Sequence, residues 1–274
     1  MENFVEILCA GNELLIGKIS NTNAQWLAKR ITTLGLKVRR VTVVGDDIGE
    51  IAAALKESLE REPRFVITTG GLGPTFDDKT LEGVANALNC ELDKNDEALK
   101  MIEERYERYV AEGRMERVEL TPHRLKMAKL PKGAKPLFNP VGTAPGVLAE
   151  SGETRLIMLP GVPQEMKAIF DESVALLIRE VAGNLTFYEA SIDVRGVPES
   201  ELAPIIEQVM HDNPYVYVKS HPKVSERVSH LELHLSTTSD DGELARQHVG
   251  RALIQISELI QNKGGKTEPI EAVD

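Results

Sequence analysis

Two adjacent aspartates, Asp77 and Asp78, follow the glycine loop Thr69-Gly70-Gly71-Leu72-Gly73 at a distance that suits phosphate chemistry. A glycine turn leaves backbone N–H groups bare, and where it leads into a helix those groups favour an anion. Carboxylates at its edge suit a hard cation shared with the phosphate. Glu13, after Gly11-Asn12, and Asp46, after Gly45, stand in comparable places. Asn139-Pro140-Val141-Gly142-Thr143 and Pro160-Gly161 add two more turns of this kind. Each also has a structural reading: glycine serves tight turns, aspartate caps helices, and one of Asp46 and Asp47 is expected to cap a helix starting at Ile48.

Convergence is what raises these residues above their structural readings. Phe4 to Ala10 is a near-continuous apolar run, which predicts a strand covered on both faces. Val38 to Val44 and Phe65 to Thr69 predict two more strands, and helical spacing marks the stretches from Ala24 to Ile31, from Ile48 to Leu55 and from Leu81 to Leu88. Strands alternating with helices of about a dozen residues predict a mostly parallel sheet with helices on its faces. Ligands of such sheets bind beyond the carboxyl ends of the strands, where Asn12, Glu13, Asp46 and the loop from Thr69 to Asp78 all fall. Further along, a helix is predicted over 94–112, another from Thr121-Pro122, strands at 147–149 and 156–159, and a helix from Pro163 to Arg179.

After Gly183 the pattern changes to alternation of apolar and polar residues, over 191–197 and 228–235, with a third strand at 215–219 and helices at 201–210 and 244–260. We read two domains, 1–180 and a smaller α+β domain over 184–264, with 265–274 as a flexible tail.

The 274 residues are 42% hydrophobic and 27% charged, an ordinary globular composition. A net charge of −11 argues against general nucleic-acid and anionic-membrane binders, despite the basic stretch Lys219, His221, Lys223, Arg227 and His230. No apolar run reaches membrane-span length and no basic-then-apolar leader is seen, so a cytoplasmic protein is expected. Cys9 and Cys90 read as two buried thiols. His230 and His234 point to one face of a strand about 13 Å apart, too far to share an ion.

Gly11 to Gly17 with Asn21-Thr22-Asn23, Val44 to Asp47, Thr69 to Asp78, Asn139 to Gly146 and Leu159 to Met166 together resemble the CinA family. The N-terminal part of that family is similar to the molybdopterin-binding domain of MogA-type proteins. The resemblance covers most of residues 1–180 and implies a three-layer α/β/α domain followed by a small KH-like α+β domain. The latter lacks an evident Gly-x-x-Gly loop here, so nucleic acid is not expected as a partner. For this branch the resemblance implies a divalent-metal-dependent pyrophosphatase converting ADP-ribose to AMP and ribose 5-phosphate, and a homo-oligomer. Full-length members carry a further nicotinamide mononucleotide amidase domain, and its activity is not expected of this chain. Where MogA-type loops read Gly-Gly-Thr-Gly and then Arg-Asp, this chain has Leu72 and Asp77. Exchanging a cation for an anion beside a phosphate favours a metal-bridged diphosphate.

The expected site therefore comprises Asp78 and Asp46 as catalytic groups, and Asp46, Asp77 and Asp78 as ligands to Mg, Mn or Co. Asn12, Glu13, Thr69, Gly70, Gly71, Gly73, Asn139, Gly142, Thr143, Pro160 and Gly161 are the phosphate and substrate contacts. The alternative is a non-catalytic or adenylylating binder of molybdopterin or a nucleotide, of the MogA type.

Overall fold

A computed structural model describes residues 3–223 and 230–270. The chain divides into two compact units, Met1–Thr32 with Leu36–Val181, and Thr33–Gly35 with Ala182–Asp274.

The first unit is built on a six-stranded sheet. Its strands are β1 (Phe4–Ala10), β2 (Lys37–Val44), β3 (Phe65–Thr69), β6 (Lys135–Leu137), β7 (Gly146–Ser151) and β8 (Thr154–Leu159), in the order β2-β1-β3-β8-β7-β6. β2, β1, β3 and β8 run parallel, whereas β7 is antiparallel to β8 and β6 to β7. β1 and β3 are buried at every position, as the apolar run predicts for strands covered on both faces.

Helices α2 (Thr22–Thr33), α3 (Ile48–Glu60), α4 (Thr80–Ala87), α5 (Asp96–Ala111), α7 (Pro163–Ile169) and α8 (Ala175–Ala182) are the long connections. A π-helical turn, Phe170–Val174, joins the last two. Leu8, Ala10, Val66, Leu156 and Met158 share one core with Ile51 and Leu55 of α3, Val84 of α4 and Ile102 of α5. By the two-residue period of a strand, buried Val5, Ile7, Cys9, Ile67 and Ile157 face the opposite side.

The one charge within β1, Glu6, is 3% exposed. Arg61 donates to both of its oxygens at 2.7 Å and Ser58 Oγ at 2.8 Å. Burial alone would raise its pKa, but the bonds from Arg61 and Ser58 outweigh that and lower it.

Short elements lay outside the sequence reading. α1 (Asn12–Leu15) is a single turn, and β4 (Leu92–Lys94) pairs antiparallel with β5 (Lys129–Pro131). The short helix from Thr121-Pro122 is α6 (Pro122–Lys126), with Thr121 Oγ1 accepting from Arg124 N–H. Cys9 is buried as expected, whereas Cys90 is partly exposed.

The second unit is an antiparallel sheet, β10 (Tyr217–Pro222), β11 (His230–Ser239), β9 (Thr186–Arg195) and β12 (Lys266–Ile270) in that order, with α9 (Glu199–Asp212) and α10 (Gly242–Asn262). Leu231, Leu233, Leu235, Ile192 and Val194 form its core with Leu202, Val249 and Ile256.

The tail expectation needs correcting. Lys266 to Ile270 pair antiparallel with Arg195 to Ser191. Gly264, at φ +82, turns the chain out of α10 into an edge strand, where Pro269 is tolerated because one side of the strand needs no donor. Arg227 of the basic stretch, 228–229 of the expected strand and 271–274 of the expected tail lie outside the described residues. No described helix is long and apolar enough to cross a membrane.

Candidate functional site

The strand order places β2 on one side of β1 and β3 on the other. Connections that leave in opposite directions open a crevice at the carboxyl ends of the strands. A cavity of 430 Å³ lies there, with Ala10, Thr69 and Pro160 at the ends of β1, β3 and β8 among its walls.

Gly70 makes the floor. Its φ is +102, and a Cβ there would sit 2.2 Å from Ala10 O, so a side chain would drive β1 and β3 apart. Gly71, at φ +68, would bring a Cβ within 2.3 Å of Thr80 Oγ1, the hydroxyl that donates to Gly70 O at 2.7 Å. The loop is thus bare backbone locked to the first residue of α4.

Of the expected residues, Glu13, Asp46, Thr69, Gly70, Gly71, Gly73, Asp77, Asp78, Thr143, Pro160 and Gly161 line the crevice. Asn12, Asn139 and Gly142 do not, and each has a supporting task. Asn12 N–H donates to Asp46 Oδ2 at 2.9 Å while Asp46 N–H donates to Asn12 Oδ1 at 3.3 Å, a reciprocal clamp between the β1 and β2 ends. Asn139, buried, accepts from Val141 and Gly142 N–H at 3.0 and 2.7 Å and donates to Glu165 Oε2 at 2.8 Å. A Cβ at Gly142 would lie on Glu165 Oε2.

Asp47 is the cap of α3, accepting from Gly49 and Glu50 N–H at 2.8 and 3.0 Å, which leaves Asp46 to the crevice. Asp77 and Asp78 do not cap α4, whose N-cap is Lys79 without a side-chain bond. Asp78 Oδ2 instead accepts from Thr75 N–H at 2.8 Å and lies 2.5 Å from Thr75 Oγ1, which also contacts Asp77 Oδ1. One hydroxyl proton serves one carboxylate at a time. The Thr75 hydroxyl holds Asp77 below the usual aspartate pKa, helped by its own backbone and by Lys126 and Lys79. Lys126 Nζ donates to Asp78 O and Thr75 O, fixing the loop from outside the crevice.

Sequence reasoning missed Thr75, Asn23 and Glu165. Asn23 Nδ2 donates to Thr69 Oγ1 at 3.0 Å and to Gly161 O at 2.8 Å. Thr69 Oγ1 in turn donates to Pro160 O at 3.3 Å, so this hydroxyl is engaged in joining loops. The Asn21-Thr22-Asn23 triplet entered the sequence reading only as one of the motifs shared with the CinA family, with no contact assigned to Asn23.

Five carboxylates, those of Glu13, Asp46, Asp77, Asp78 and Glu165, line the crevice, and among its described lining residues there is no Lys, Arg or His. They are spread around it: no group of three or more His, Cys, Asp or Glu among the described residues could hold a metal ion by itself. The donors are oxygen throughout, which fits Mg²⁺ or Mn²⁺, and Mg²⁺ binds through one or two carboxylates with waters and phosphate completing its shell. The protein's own carboxylates therefore suit a cation that arrives with a phosphate.

Residues 6–180 match the family described as a probable molybdopterin binding domain. A protein of Pyrobaculum arsenaticum is 45% identical over 266 residues, 97% of each chain. One of Aeropyrum pernix is 44% identical over 260 residues, 94% of each. Among solved structures, CinA of Thermoplasma acidophilum, described as of unknown function, superposes with a TM-score of 0.57 at 42% identity over 62% of this chain and 95% of its own.

Proposed function

We propose, for a chain that belongs to the CinA family and carries a probable molybdopterin binding domain over residues 6–180, that the crevice binds the phosphate of a pterin or nucleotide together with a divalent cation. One observation carries the reading. A bare glycine floor, where backbone approaches a ligand closely, faces five carboxylates and no cationic side chain. An anion in that field requires a cation of its own. Titrating the protein with pyrophosphate, with and without Mg²⁺, tests it by calorimetry. Saturable binding that depends on Mg²⁺ is expected, and no heat under either condition would sink the reading.

The same carboxylates favour a second reading, hydrolysis of the diphosphate of ADP-ribose to AMP and ribose 5-phosphate. In it Asp46 and Asp78 hold the metal, which when bound supplies charge neutralisation at phosphorus and a more acidic water. The protein's part is orientation: Asn12 fixes Asp46, Thr75 fixes Asp78, and the Gly70 floor seats the phosphate. Water adds across the P–O–P bridge, its hydroxyl to one phosphorus and its proton to the departing phosphate oxygen. Incubation with ADP-ribose and Mg²⁺, Mn²⁺ or Co²⁺ should release AMP, and binding without release leaves the first reading alone standing. We also propose a homo-oligomer, since Ile16 is 75% and Phe76 85% exposed on loops beside the crevice. Light scattering would show its size, and a monomer would exclude it.

A further inference from the structure

Ile192, Val194, Leu231 and Leu233 pack with residues of α9 and α10, so by the two-residue period of a strand Asp193, Arg195, His230 and Glu232 stand on the other face of the antiparallel sheet. Register sorts the charges of that face by sign. His230, Arg195 and Lys266 lie directly opposite one another across β11, β9 and β12, and Glu232, Asp193 and Glu268 make the next row, about 7 Å along the strands. Like charges facing each other across strands oppose pairing, so each row needs ions of the other sign.

The fold answers most of that need. Asp193 is met by Lys223, His230 and Arg195, and Glu232 by Lys223 at 3.2 Å. Two charges on β12 are left over. Lys266 makes no ion pair among the described residues, and Glu268 reaches only Arg195 Nη2, at 3.9 Å, an atom already donating to Asp193 Oδ2 at 3.3 Å. A cavity of 340 Å³ lies at these leftovers, lined by Asp193, Arg195, Lys266 and Glu268 together with Gly196 and Gly264. Both glycines are at positive φ, +84 and +82, so bare backbone borders the space. The volume suits a small molecule, yet no apolar side chain lines the cavity, so an occupant is held by charge.

The lining decides which charge. A simple anion would satisfy Arg195 and Lys266 but face Glu268, and a simple cation would do the converse. A carboxylate and an ammonium on one carbon answer both rows, and with a charge-assisted bond of about 2.8 Å at either end they span roughly the distance between them. We infer that this cavity of the second unit binds a free α-amino acid, its carboxylate held by Arg195 and Lys266 and its ammonium by Glu268. Nothing in this site depends on what the crevice binds.

The test is titration of the full chain with glycine, acetate and methylammonium at constant ionic strength, followed by NMR at the backbone amides of Gly196 and Gly264. Those two amides distinguish this cavity from every other binding place on the chain. Glycine should shift both saturably, and acetate and methylammonium, each lacking one charged partner, should bind about tenfold more weakly. Lys266 and Glu268 are exposed on an edge strand, so variants at either should fold as the parent does. Glu268→Gln should weaken glycine about tenfold and leave acetate unchanged or tighter, while Lys266→Gln should weaken glycine and acetate alike and leave methylammonium unchanged or tighter. Acetate binding as tightly as glycine would reduce the cavity to an anion site, and methylammonium doing so would reduce it to a cation site. Either result overturns the inference. So would the absence of a saturable shift with glycine, or a glycine affinity that neither substitution changes.

Discussion

Asp193 and Asp78 are the same residue in opposite surroundings. Asp193, on β9 of the antiparallel sheet, is met by Lys223 Nζ at 2.7 Å, His230 Nε2 at 2.5 Å and Arg195 at 3.3 Å. Lys223 draws its pKa down to about 2 from an ordinary 3.8, with His230 adding to the effect against the cost of burial. Asp78 receives a hydroxyl and a backbone N–H, and its crevice offers four more carboxylates and no cation. A carboxylate for which the fold supplies cations is part of the structure. One placed among other carboxylates on a bare backbone floor is available to something that arrives. His234 fits the first pattern, between Ser191 Oγ at 3.2 Å and Glu189 at 3.3 Å, separate from the surroundings of His230.

The contrast breaks most severely at the floor. Gly70→Ala must place a methyl group 2.2 Å from Ala10 O at a φ of +102. Strain at a left-handed position and a backbone collision add, so a loss of about 3 kcal/mol or more is expected, with pyrophosphate binding abolished. Chemical denaturation and calorimetry read the two effects. Full stability with intact binding would show that the floor is not what shapes the crevice.

Next in size is Asp193→Ala, which takes the carboxylate away from the ring of His230 and leaves Lys223 with Glu232 alone, at 3.2 Å. A loss of about 1–3 kcal/mol is expected in the transition that reports the antiparallel sheet, with no change in pyrophosphate affinity. A melting temperature equal to the parent's would show that the cluster contributes nothing.

Acid titrates the same cluster more gently. The folded pKa of Asp193 lies below its unfolded value, so the unfolded state binds the extra proton. Its contribution is complete above pH 3.8 and is lost as pH falls through about 2. After solvent screening the expected size is about 1 kcal/mol. The difference in stability between the parent and Asp193→Ala should therefore shrink across that window, and a difference that stays constant would contradict the lowered pKa.

How much of this was legible beforehand depended on whether the signal was local. The apolar run of β1, a cap from the Asp46-Asp47 pair ahead of Ile48 and the glycine loop ahead of α4 are each written within a few residues and each formed, the structure choosing Asp47 of the pair. The β4–β5 ribbon joins three-residue segments, Leu92–Lys94 and Lys129–Pro131, that share no short pattern, and β12 exists only because β9 offers it an edge. Asn23 was invisible for the same reason, since its partners Thr69 and Gly161 lie 46 and 138 residues away. The carboxylates at the strand ends could be read from the sequence, but the lack of any cation among them is a property of the folded surface. The choice of Asn12, Asn139 and Gly142 as contacts failed in a related way: their motifs mark loops correctly, yet their side chains, or in Gly142 the lack of one, serve the loops themselves.

The smallest expected change in stability is at Asp78. Asp78→Asn keeps an oxygen for the Thr75 N–H and removes one charge from a crevice that holds five, so repulsion falls while the turn survives. Stability should stay within about 0.5 kcal/mol of the parent or rise slightly, as for surface changes that break no buried pair. Mg²⁺-dependent pyrophosphate binding should nevertheless weaken by about tenfold, because a neutral amide is a poorer ligand for a hard cation. This combination, unchanged folding with impaired binding, is the reverse of what Asp193→Ala should give. Loss of stability in Asp78→Asn comparable to that in Asp193→Ala would mean that Asp78 belongs to the structure after all, and that the difference between the two aspartates is one of surroundings alone.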